Sequence, residues 1–268
     1  MPDQTDPLTS ELWATAHAMA DAARTETLRH FRVAGLVSDN KLASGFDPVT
    51  EADRAAERAM RAVLAERRPE DGILGEEFES SQGTSGLTWV IDPIDGTRGY
   101  ISGTPTWGVL IAVGDGDRVQ LGIVDQPYIG ERFCGGFGEA WVDGPMGRAP
   151  LRSRPCAGLS DAVLFSTFPE VGSEAERRGF EAVRDRVRLT RYGMDCYAYA
   201  LVAAGQVDLV IEAGLHAYDV QGPIGVIEAA GGIVTDWQGG PALNGGRIVA
   251  AGSVEVHAEA LELLSRAI

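Results

Sequence analysis

The spacing of apolar residues predicts two amphipathic helices near the start of the chain. Apolar side chains recur at helical intervals from residue 11 to residue 31, and Ser10 stands where a helix cap is expected. A second helical pattern follows Thr50. Asp53 stands three residues after Thr50, which is the spacing of a capping box. Its carboxylate therefore either serves the start of this helix or belongs to a functional site.

Short apolar runs with turn signals between them predict strands in the next part of the chain. The first run, residues 72–78, contains Glu76 and Glu77, which are either a solvated charge pair or functional acids. Four further runs are residues 109–113, 119–124, 131–134 and 140–142. Because Asp-Gly between apolar runs favours a hairpin, we expect an antiparallel meander that continues a strand at residues 89–92.

Strands and helices alternate in the second half of the chain. Strands are predicted at 162–166, 187–190, 207–211, 232–236 and 247–251, with helices between them and after the last. One helix should begin near Asp219, because Pro223 is tolerated in a first turn. A segment rich in Gly, Pro and Arg, around residues 144–155, is the best boundary candidate. We predict an N-terminal α+β half, residues 1–148, and a C-terminal α/β half, residues 149–268.

The stretch Trp89-Val-Ile-Asp-Pro-Ile-Asp-Gly-Thr97 combines a buried strand with candidate chemistry. Asp92 should stand at the end of the strand, since the following proline favours extended geometry before it. Gly96 permits a tight turn, and Thr97 can open a helix whose free N–H groups attract an anion. Two carboxylates beside an anion cradle indicate a divalent metal that holds a phosphate.

The charge of the chain narrows the classes of partner. There are 39 acidic and 23 basic residues, a net charge of −16, and one lysine, Lys41. Such a surface repels nucleic-acid backbones, so no nucleic-acid partner is expected. A small phosphorylated substrate would also be repelled unless metal ions reversed the local field. The charge therefore favours metal dependence, with simple solubility as the alternative explanation.

Other sequence features favour a cytoplasmic protein. No apolar run reaches the roughly 18 residues that span a bilayer, so no membrane segment is expected. Residues 1–7 are acidic and polar, unlike a signal peptide. Three scattered cysteines, Cys134, Cys156 and Cys196, lack the spacing of a zinc site and fit a reducing compartment.

Five acidic residues stand at the edges of apolar elements, which is where a metal site could assemble. They are Asp53, Glu76, Asp92, Asp95 and Asp219. Hard cations such as Mg²⁺ take oxygen ligands, and their coordination is usually completed by water and substrate phosphate. The four histidines show no metal-binding spacing, which disfavours a zinc-protease type of site.

Four blocks of the sequence resemble the inositol monophosphatase superfamily. They are Asp47-Pro-Val-Thr-Glu-Ala-Asp53, Gly75-Glu-Glu77, residues 89–97, and Tyr218-Asp-Val220 with Ala229-Ala-Gly-Gly232. Within the superfamily the chain resembles the histidinol-phosphate phosphatases most, through residues 125–132, 191–197 and 208–213. The resemblance implies a layered αβαβα sandwich, with a meander sheet in the N-terminal half and a smaller sheet in the C-terminal half. It also implies a homodimer.

The resemblance implies roles for the metal-binding and catalytic residues. Glu76, Asp92 and the backbone carbonyl of Ile94 would hold one Mg²⁺. Asp92, Asp95 and Asp219 would hold a second, with two or three ions per site. The implied catalytic residues are Asp53, Glu76 and Thr97, of which Thr97 and Asp53 would orient and deprotonate the attacking water.

The resemblance also implies substrate contacts. The phosphate would be surrounded by Ile94, Asp95, Gly96, Thr97 and Asp219. It would accept hydrogen bonds from the backbone N–H groups of Gly96 and Thr97. Arg191 would lie beside the substrate, although it could equally be an ordinary ion-pair arginine. Asp195 and Glu212 are hypothesised to face the cationic amine of histidinol phosphate. The alternatives are a helix cap for Asp195 and a solvent-exposed position for Glu212.

The implied function is that of a Mg²⁺-dependent phosphomonoesterase that hydrolyses L-histidinol phosphate in histidine biosynthesis. The implied partner is thus a small phosphorylated metabolite. Inositol phosphate, fructose bisphosphate and adenosine bisphosphate are alternative substrates, and a catalytically silent metal-binding protein is the alternative from another class. Val-Gln-Gly-Pro-Ile-Gly follows Asp219, where inositol phosphatases have Trp-Asp followed by small alanines. This departure argues against inositol phosphate as the substrate but not against a metal role for Asp219.

Overall fold

Two β-sheets alternate with layers of helices in the part of the chain that the structure describes. The computed structural model describes residues 6–34, 36, 38–40 and 48–266. Asp47, the first residue of one sequence block, and Lys41 lie outside the described residues, as do residues 1–5.

The helices and strands follow one another in mixed order. The helices are α1 (Pro7–His30), α2 (Glu51–Arg67), α3 (Thr97–Ile101), α4 (Glu174–Arg184), α5 (Asp195–Ala203), α6 (Ala217–Ala229) and α7 (Val254–Leu264). The first strands are β1 (Ser38–Asn40), β2 (Pro48–Thr50), β3 (Gly72–Gly75), β4 (Thr88–Asp95), β5 (Gly108–Gly114), β6 (Val119–Gln126) and β7 (Glu131–Gly136). The others are β8 (Glu139–Gly144), β9 (Gly147–Pro150), β10 (Val163–Ser166), β11 (Leu189–Tyr192), β12 (Leu209–Leu215), β13 (Ile233–Asp236) and β14 (Gly246–Ala251).

The larger sheet is the predicted meander. Its seven strands lie in the order β3-β4-β5-β6-β7-β8-β9, and every pair except the parallel pair β3–β4 is antiparallel. The smaller sheet has the order β11-β10-β12-β14-β13, with β10 parallel to both of its neighbours. The antiparallel strands β1 and β2 form a separate two-stranded sheet, and β2 leads into α2.

The two sheets share a layer of helices. Helices α1 and α2 cover one face of the larger sheet, while α5 and α6 lie between the sheets, and α4 and α7 cover the far face of the smaller one. Successive side chains of a strand face opposite ways. Ile111 therefore packs against α1 and α2, whereas its neighbour Leu110 packs towards α5 and α6. This arrangement confirms the predicted layered αβαβα sandwich.

One predicted helix start is wrong, and a second helix begins where predicted but holds its proline in another position. Helix α1 begins at Pro7, so Ser10 lies inside the helix and does not cap it. A proline fits a first turn because its missing N–H would be unpaired there. Helix α6 begins at Ala217, which places Pro223 beyond the first turn. In that position the proline cannot donate the helical hydrogen bond to the carbonyl of Asp219.

The proposed division into two halves remains a prediction. The segment around residues 144–155 contains β9, an edge strand of the larger sheet. Helix α6 belongs to the second half in sequence but packs against β5, β6 and β7 of the first. Among the described residues, no helix is both long and apolar enough to cross a bilayer.

Candidate active site

Asp92 and Asp95 lie on one side of the larger sheet because β4 contains a bulge. They pair with residues of β5 that are only two apart, Leu110 and Gly108. In a regular strand, side chains three residues apart point to opposite faces, and the extra residue of a bulge reverses that alternation. The amide of Ile94 donates to Asp92 Oδ1 at 2.9 Å, which fixes the turn within the bulge. Both carboxylates consequently face the same site.

Asp219 reaches this site from the second half of the chain. It stands in the first turn of α6, where its Oδ2 accepts a hydrogen bond from the amide of His216 at 2.6 Å. Carboxylate oxygens of Asp92, Asp95 and Asp219 lie within 4.8 Å of one another. The fold thus assembles three of the predicted metal ligands.

Glu76 and Asp53 complete the predicted acidic group. Glu76 lies in the turn after β3 and lines the same cavity as Asp92. Asp53 Oδ2 accepts from the amide and hydroxyl of Thr50, at 2.8 and 2.6 Å, as a capping box requires. Its other oxygen, Oδ1, lies 3.4 Å from the hydroxyl of Thr97. Asp53 therefore caps α2 and also faces the site, so both interpretations of this residue apply.

The carboxylates of this site repel one another in the absence of a cation. Burial raises the pKa of Asp92 well above its usual value, and the charges of Glu76, Asp95 and Asp219 raise it further. Burial also raises the pKa of Asp95, together with the charges of Asp219 and Asp195. The pKa of Asp53 is raised to about 6 by burial, an effect that its hydrogen bonds to Thr50 partly offset.

The donor set fits a hard divalent cation. The clustered ligand atoms are all carboxylate oxygens, which Mg²⁺ prefers, and they are contributed by buried or half-buried side chains. No other group of three His, Cys, Asp or Glu residues within the described part of the chain comes this close together. A cation would offset the repulsion that raises the pKa of Asp92 and Asp95.

Gly96 and Thr97 form the predicted turn and short helix. Gly96 has a φ of +81°, and α3 begins at Thr97. A Cβ at Gly96 would lie 2.7 Å from Cβ of Asp195, so glycine is required here by both backbone geometry and space. The Thr97 hydroxyl donates to the Ile94 carbonyl at 3.1 Å, which turns it towards the acidic group. The N–H groups of this first turn are suited to an anion.

One cavity of about 400 Å³ extends from these residues towards the smaller sheet. That volume suits a small metabolite. In the described part of the chain, the cavity is lined by one arginine, Arg98, and by the carboxylates of Glu76, Asp92, Asp95, Glu170, Asp195, Glu212 and Asp219. The cavity wall comes from segments that follow the carboxyl ends of β10, β11 and β12, a common position for ligand sites in sheets with parallel strands.

Asp195 lines the cavity in an unusual backbone conformation. Its φ is +47°, in the left-handed region that non-glycine residues rarely adopt. Its Oδ2 accepts from the hydroxyl of Thr106 at 2.8 Å, and burial raises the pKa of the carboxyl group. The next amide, that of Cys196, donates to Asp95 Oδ2 at 2.7 Å. Asp195 is the first residue of α5 and makes no side-chain cap, so the helix-cap alternative is wrong.

Glu212 is buried, so its solvent-exposed alternative is wrong. Its Oε1 accepts from the amide and the hydroxyl of Thr167, at 2.8 and 2.5 Å, and its Oε2 accepts from the hydroxyl of Tyr199 at 2.8 Å. Burial raises the pKa of Glu212. The carboxylate already holds three donors, and any direct contact with a substrate amine would have to join or replace one of them.

Arg191 is the one predicted site residue that the fold leaves apart from the others. It is exposed in β11, the edge strand of the smaller sheet, and is not among the residues that line the cavity. Its predicted place beside the substrate remains a prediction.

Several residues that line the cavity were not predicted from the sequence, and they include Arg98, Phe168 and Glu170. The Arg98 guanidinium lies 4.9 Å from the centre of the Phe168 ring, so the two form one wall of the cavity. Both Phe168 and Glu170 are exposed in the loop after β10. The available signal was the position of this loop at the carboxyl end of a strand with parallel neighbours.

Comparisons with known proteins agree with this geometry. The model of the inositol monophosphatase family matches residues 8–268. The bifunctional phosphatase IMPL2 of Arabidopsis thaliana is 38% identical over 262 residues, which cover 94% of this chain and 74% of that protein. A histidinol-phosphatase of Streptomyces coelicolor is 34% identical over 280 residues, and this alignment covers 99% of this chain and 99% of that protein. A solved inositol monophosphatase from Zymomonas mobilis is 37% identical, with a TM-score of 0.84 over 98% of this chain and 100% of that one.

Proposed function

The chain belongs to the inositol monophosphatase family, and from that premise we propose that this phosphatase hydrolyses L-histidinol phosphate to L-histidinol and phosphate, with Mg²⁺. The names of its relatives include both histidinol-phosphatase and inositol monophosphatase, so the choice of substrate has to be argued from the site.

The charge of the cavity beyond the metal-binding group supports a cationic substrate. Glu170, Asp195 and Glu212 line the cavity in addition to the four proposed metal ligands, and among the described residues Arg98 is the only arginine or lysine that lines it. Two divalent ions would balance the four ligand carboxylates, and the three remaining acids would face the organic part of the substrate. Histidinol carries an amine and an imidazole, whereas inositol is uncharged. This excess of carboxylates is the observation that favours histidinol phosphate.

Glu170 is the carboxylate that we assign to the substrate amine. Asp195 is bonded to Thr106, and Glu212 to Thr167 and Tyr199. Glu170, by contrast, is exposed and has no hydrogen-bond or ion-pair partner among the described residues. It can meet an ammonium group without giving up a bond. The predicted roles of Asp195 and Glu212 then concern the shape of the site as well as its charge.

The proposed metal ligands are Glu76, Asp92, Asp95 and Asp219, with the backbone carbonyl of Ile94. Divalent ions held there would stabilise the charge on the phosphoryl group and make the attacking water more acidic.

The remaining steps rest on the chain itself. The N–H groups of Gly96 and Thr97 bind a phosphate oxygen at the start of α3. The Thr97 hydroxyl orients the attacking water, and the proton of that water passes through this hydroxyl to Asp53 Oδ1, 3.4 Å away. A pKa of about 6 leaves Asp53 mostly ionised at neutral pH while keeping it basic enough to accept a proton.

Phosphate release from four compounds tests the proposed substrate. The compounds are histidinol phosphate, inositol 1-phosphate, fructose 1,6-bisphosphate and adenosine 3′,5′-bisphosphate, each assayed with Mg²⁺ and again with a chelator. We expect the highest kcat/KM for histidinol phosphate and no release with the chelator. A higher kcat/KM for any other compound would refute the substrate, and Mg²⁺ binding without any turnover would favour the silent alternative.

The variant Glu170→Gln tests the assignment of the amine contact. We expect KM for histidinol phosphate to rise up to about fivefold, which is typical of an exposed ion pair, with an unchanged KM for inositol 1-phosphate. Glu174→Gln is the matched control, because Glu174 is exposed four residues later and is paired with Arg178. The predicted homodimer and cytoplasmic location remain proposals, the first of which sedimentation would test.

A further inference from the structure

The turn that carries Glu76 is held by a buried carboxylate of α2 that has no part in the chemistry described above. We propose that Glu57, together with Arg61, is a positioning residue that fixes Glu76 for metal binding. This inference rests on the proposed role of Glu76 as a metal ligand.

Glu57 binds the two backbone amides that directly follow Glu76. Its Oε2 accepts from the amide of Glu77 at 2.7 Å, and its Oε1 accepts from the amide of Phe78 at 3.3 Å. Glu57 has no solvent exposure. A buried carboxylate that binds consecutive amides restrains the peptide plane between them, and therefore the direction in which the preceding side chain leaves the backbone.

Arg61 closes the same turn from its outer side. Its Nε donates to Glu57 Oε1 at 2.8 Å, and its Nη2 donates to the carbonyl of Phe78 at 3.1 Å. The guanidinium also lies 5.8 Å from the centre of the Phe78 ring. Glu57 and Arg61 together bind two N–H groups and one carbonyl of the turn, and the ion pair compensates the buried charge of Glu57.

Gly75 makes this close approach possible. A Cβ at that position would lie 2.2 Å from Oε1 of Glu57 and 2.9 Å from Nη2 of Arg61. The φ of Gly75 is not positive, so backbone conformation does not require a glycine there. The requirement comes instead from the space that the carboxylate of Glu57 occupies.

The position of Glu76 needs such a restraint because the strand before it is short and its neighbours are acidic. Glu76 follows β3, a four-residue strand at the edge of the larger sheet. It lines the same cavity as Asp92, Asp95 and Asp219, and carboxylates so placed repel one another when no cation lies between them. Glu57 and Arg61 hold the turn in place, so the ligand does not have to be reordered when the ion arrives.

The same helix face also carries the proposed base. Asp53, Glu57 and Arg61 recur at intervals of four residues, which places them on one side of α2. Asp53 faces Thr97, while Glu57 and Arg61 are hydrogen-bonded to the turn that follows Glu76. Helix α2 thereby fixes the distance between the group that takes the proton and one ligand of the metal.

Mg²⁺ titration of the full chain by calorimetry, without substrate, tests the inference. We expect Glu57→Gln to weaken Mg²⁺ binding about tenfold or more, as is usual for residues that orient a ligand, and kcat at saturating Mg²⁺ to stay within about threefold. Glu174→Gln is the matched control, since Glu174 and Arg178 have the same spacing at an exposed site. Parent-like Mg²⁺ affinity in Glu57→Gln would overturn the inference.

A double-mutant cycle separates positioning from general destabilisation. In a Glu76→Gln background, Glu57→Gln should weaken Mg²⁺ binding little further, because it acts through Glu76. Equal losses in both backgrounds would overturn the inference. If Glu57→Gln does not fold, Gly75→Ala disturbs the same contact from the turn and should also weaken Mg²⁺ binding; parent-like affinity would then overturn it.

Failure of this inference can be told apart from failure of the proposed function. A parent chain that binds no Mg²⁺ would refute both. A parent chain that binds Mg²⁺ but releases no phosphate from histidinol phosphate would refute only the proposed substrate. The Mg²⁺ titration of Glu57→Gln would still test whether Glu57 positions Glu76.

Discussion

Two groups of buried carboxylates in this protein differ in whether positive charges compensate them. Asp125, in β6, is fully buried and is compensated by two guanidinium groups, with Arg24 Nη2 at 2.6 Å and Arg132 Nε at 2.7 Å. Arg132 also pairs with Asp21 of α1. Asp92, in the adjacent part of the same sheet, is equally buried but has other carboxylates as neighbours. The first group ties α1 to the sheet, and the second is left with a charge imbalance that suits a cation.

The difference shows where function can be found among buried charges. A compensated pair such as Asp125–Arg132 contributes little net stability relative to apolar packing but is costly to break. An uncompensated cluster destabilises the folded chain until a ligand neutralises it, and clusters of this kind mark sites of binding or catalysis. Residues 125–132 supported the family resemblance, yet Asp125 and Arg132 have a structural role in this chain.

The largest expected effect is loss of turnover on removing one charge of the uncompensated cluster. In Asp92→Asn the amide oxygen can still accept from Ile94, so we expect the fold to persist and phosphate release to fall to background. Circular dichroism checks the first expectation and the phosphate assay the second. Full activity in this variant would remove the assignment of the cluster as the catalytic metal site.

The matching change in the compensated group should act on stability instead. Asp125→Asn leaves Arg24 and Arg132 without their shared counter-charge, and we expect it to lower the free energy of unfolding by about 3 kcal/mol. Urea denaturation measures this loss. Mg²⁺ affinity should stay at the parent value, and a large change in it would mean that the two groups are coupled.

The pH dependence of stability should distinguish the groups without any assay of activity. The folded-state pKa of Asp92 is raised above the usual 3.8, so the folded chain binds more protons than the unfolded chain between these two values. Its contribution is therefore most favourable below the unfolded-state pKa and is lost as the pH rises through the folded-state pKa.

We accordingly expect the metal-free parent to lose thermal stability relative to Asp92→Asn as the pH rises above the usual carboxyl pKa of 3.8. Saturating Mg²⁺ should reverse the order, because only the parent keeps the full set of ligands. A difference between the two melting temperatures that does not change with pH would contradict the proposed charge repulsion.

The smallest expected effect concerns Asp53, which is hydrogen-bonded by Thr50 but has no cation beside it. Burial raises its pKa to about 6 in the metal-free chain, and a cation held by Glu76 would lower this value. We expect kcat/KM to rise with pH up to about this value and then level off, because the base works only when it is ionised. A profile without this acidic limb in the range above pH 4 would argue against Asp53 as the base.

The sequence alone determined which elements form and which acidic residues are candidates for the site. Apolar periodicity is a local property, so the meander, the alternating second half and the strand-turn-helix around Asp92 and Thr97 could be predicted. The predicted end of the strand at Asp92 was wrong, because β4 continues through the bulge to Asp95. The capping box of Thr50 and Asp53 is likewise local. The layered fold followed from the grouping of strands, and the family from short blocks whose order and residues are specific.

Only the tertiary structure decided how these residues meet. The bulge in β4 that turns Asp92 and Asp95 to one side arises from pairing with β5, which the sequence does not specify. The pairing of Glu57 with a turn some 20 residues later, the separation of Arg191 from the cavity, and the position of Glu170 in its wall depend on packing across the whole chain. Side-chain roles of this kind are set by contacts distant in sequence, and a pattern of neighbours along the chain carries no record of them.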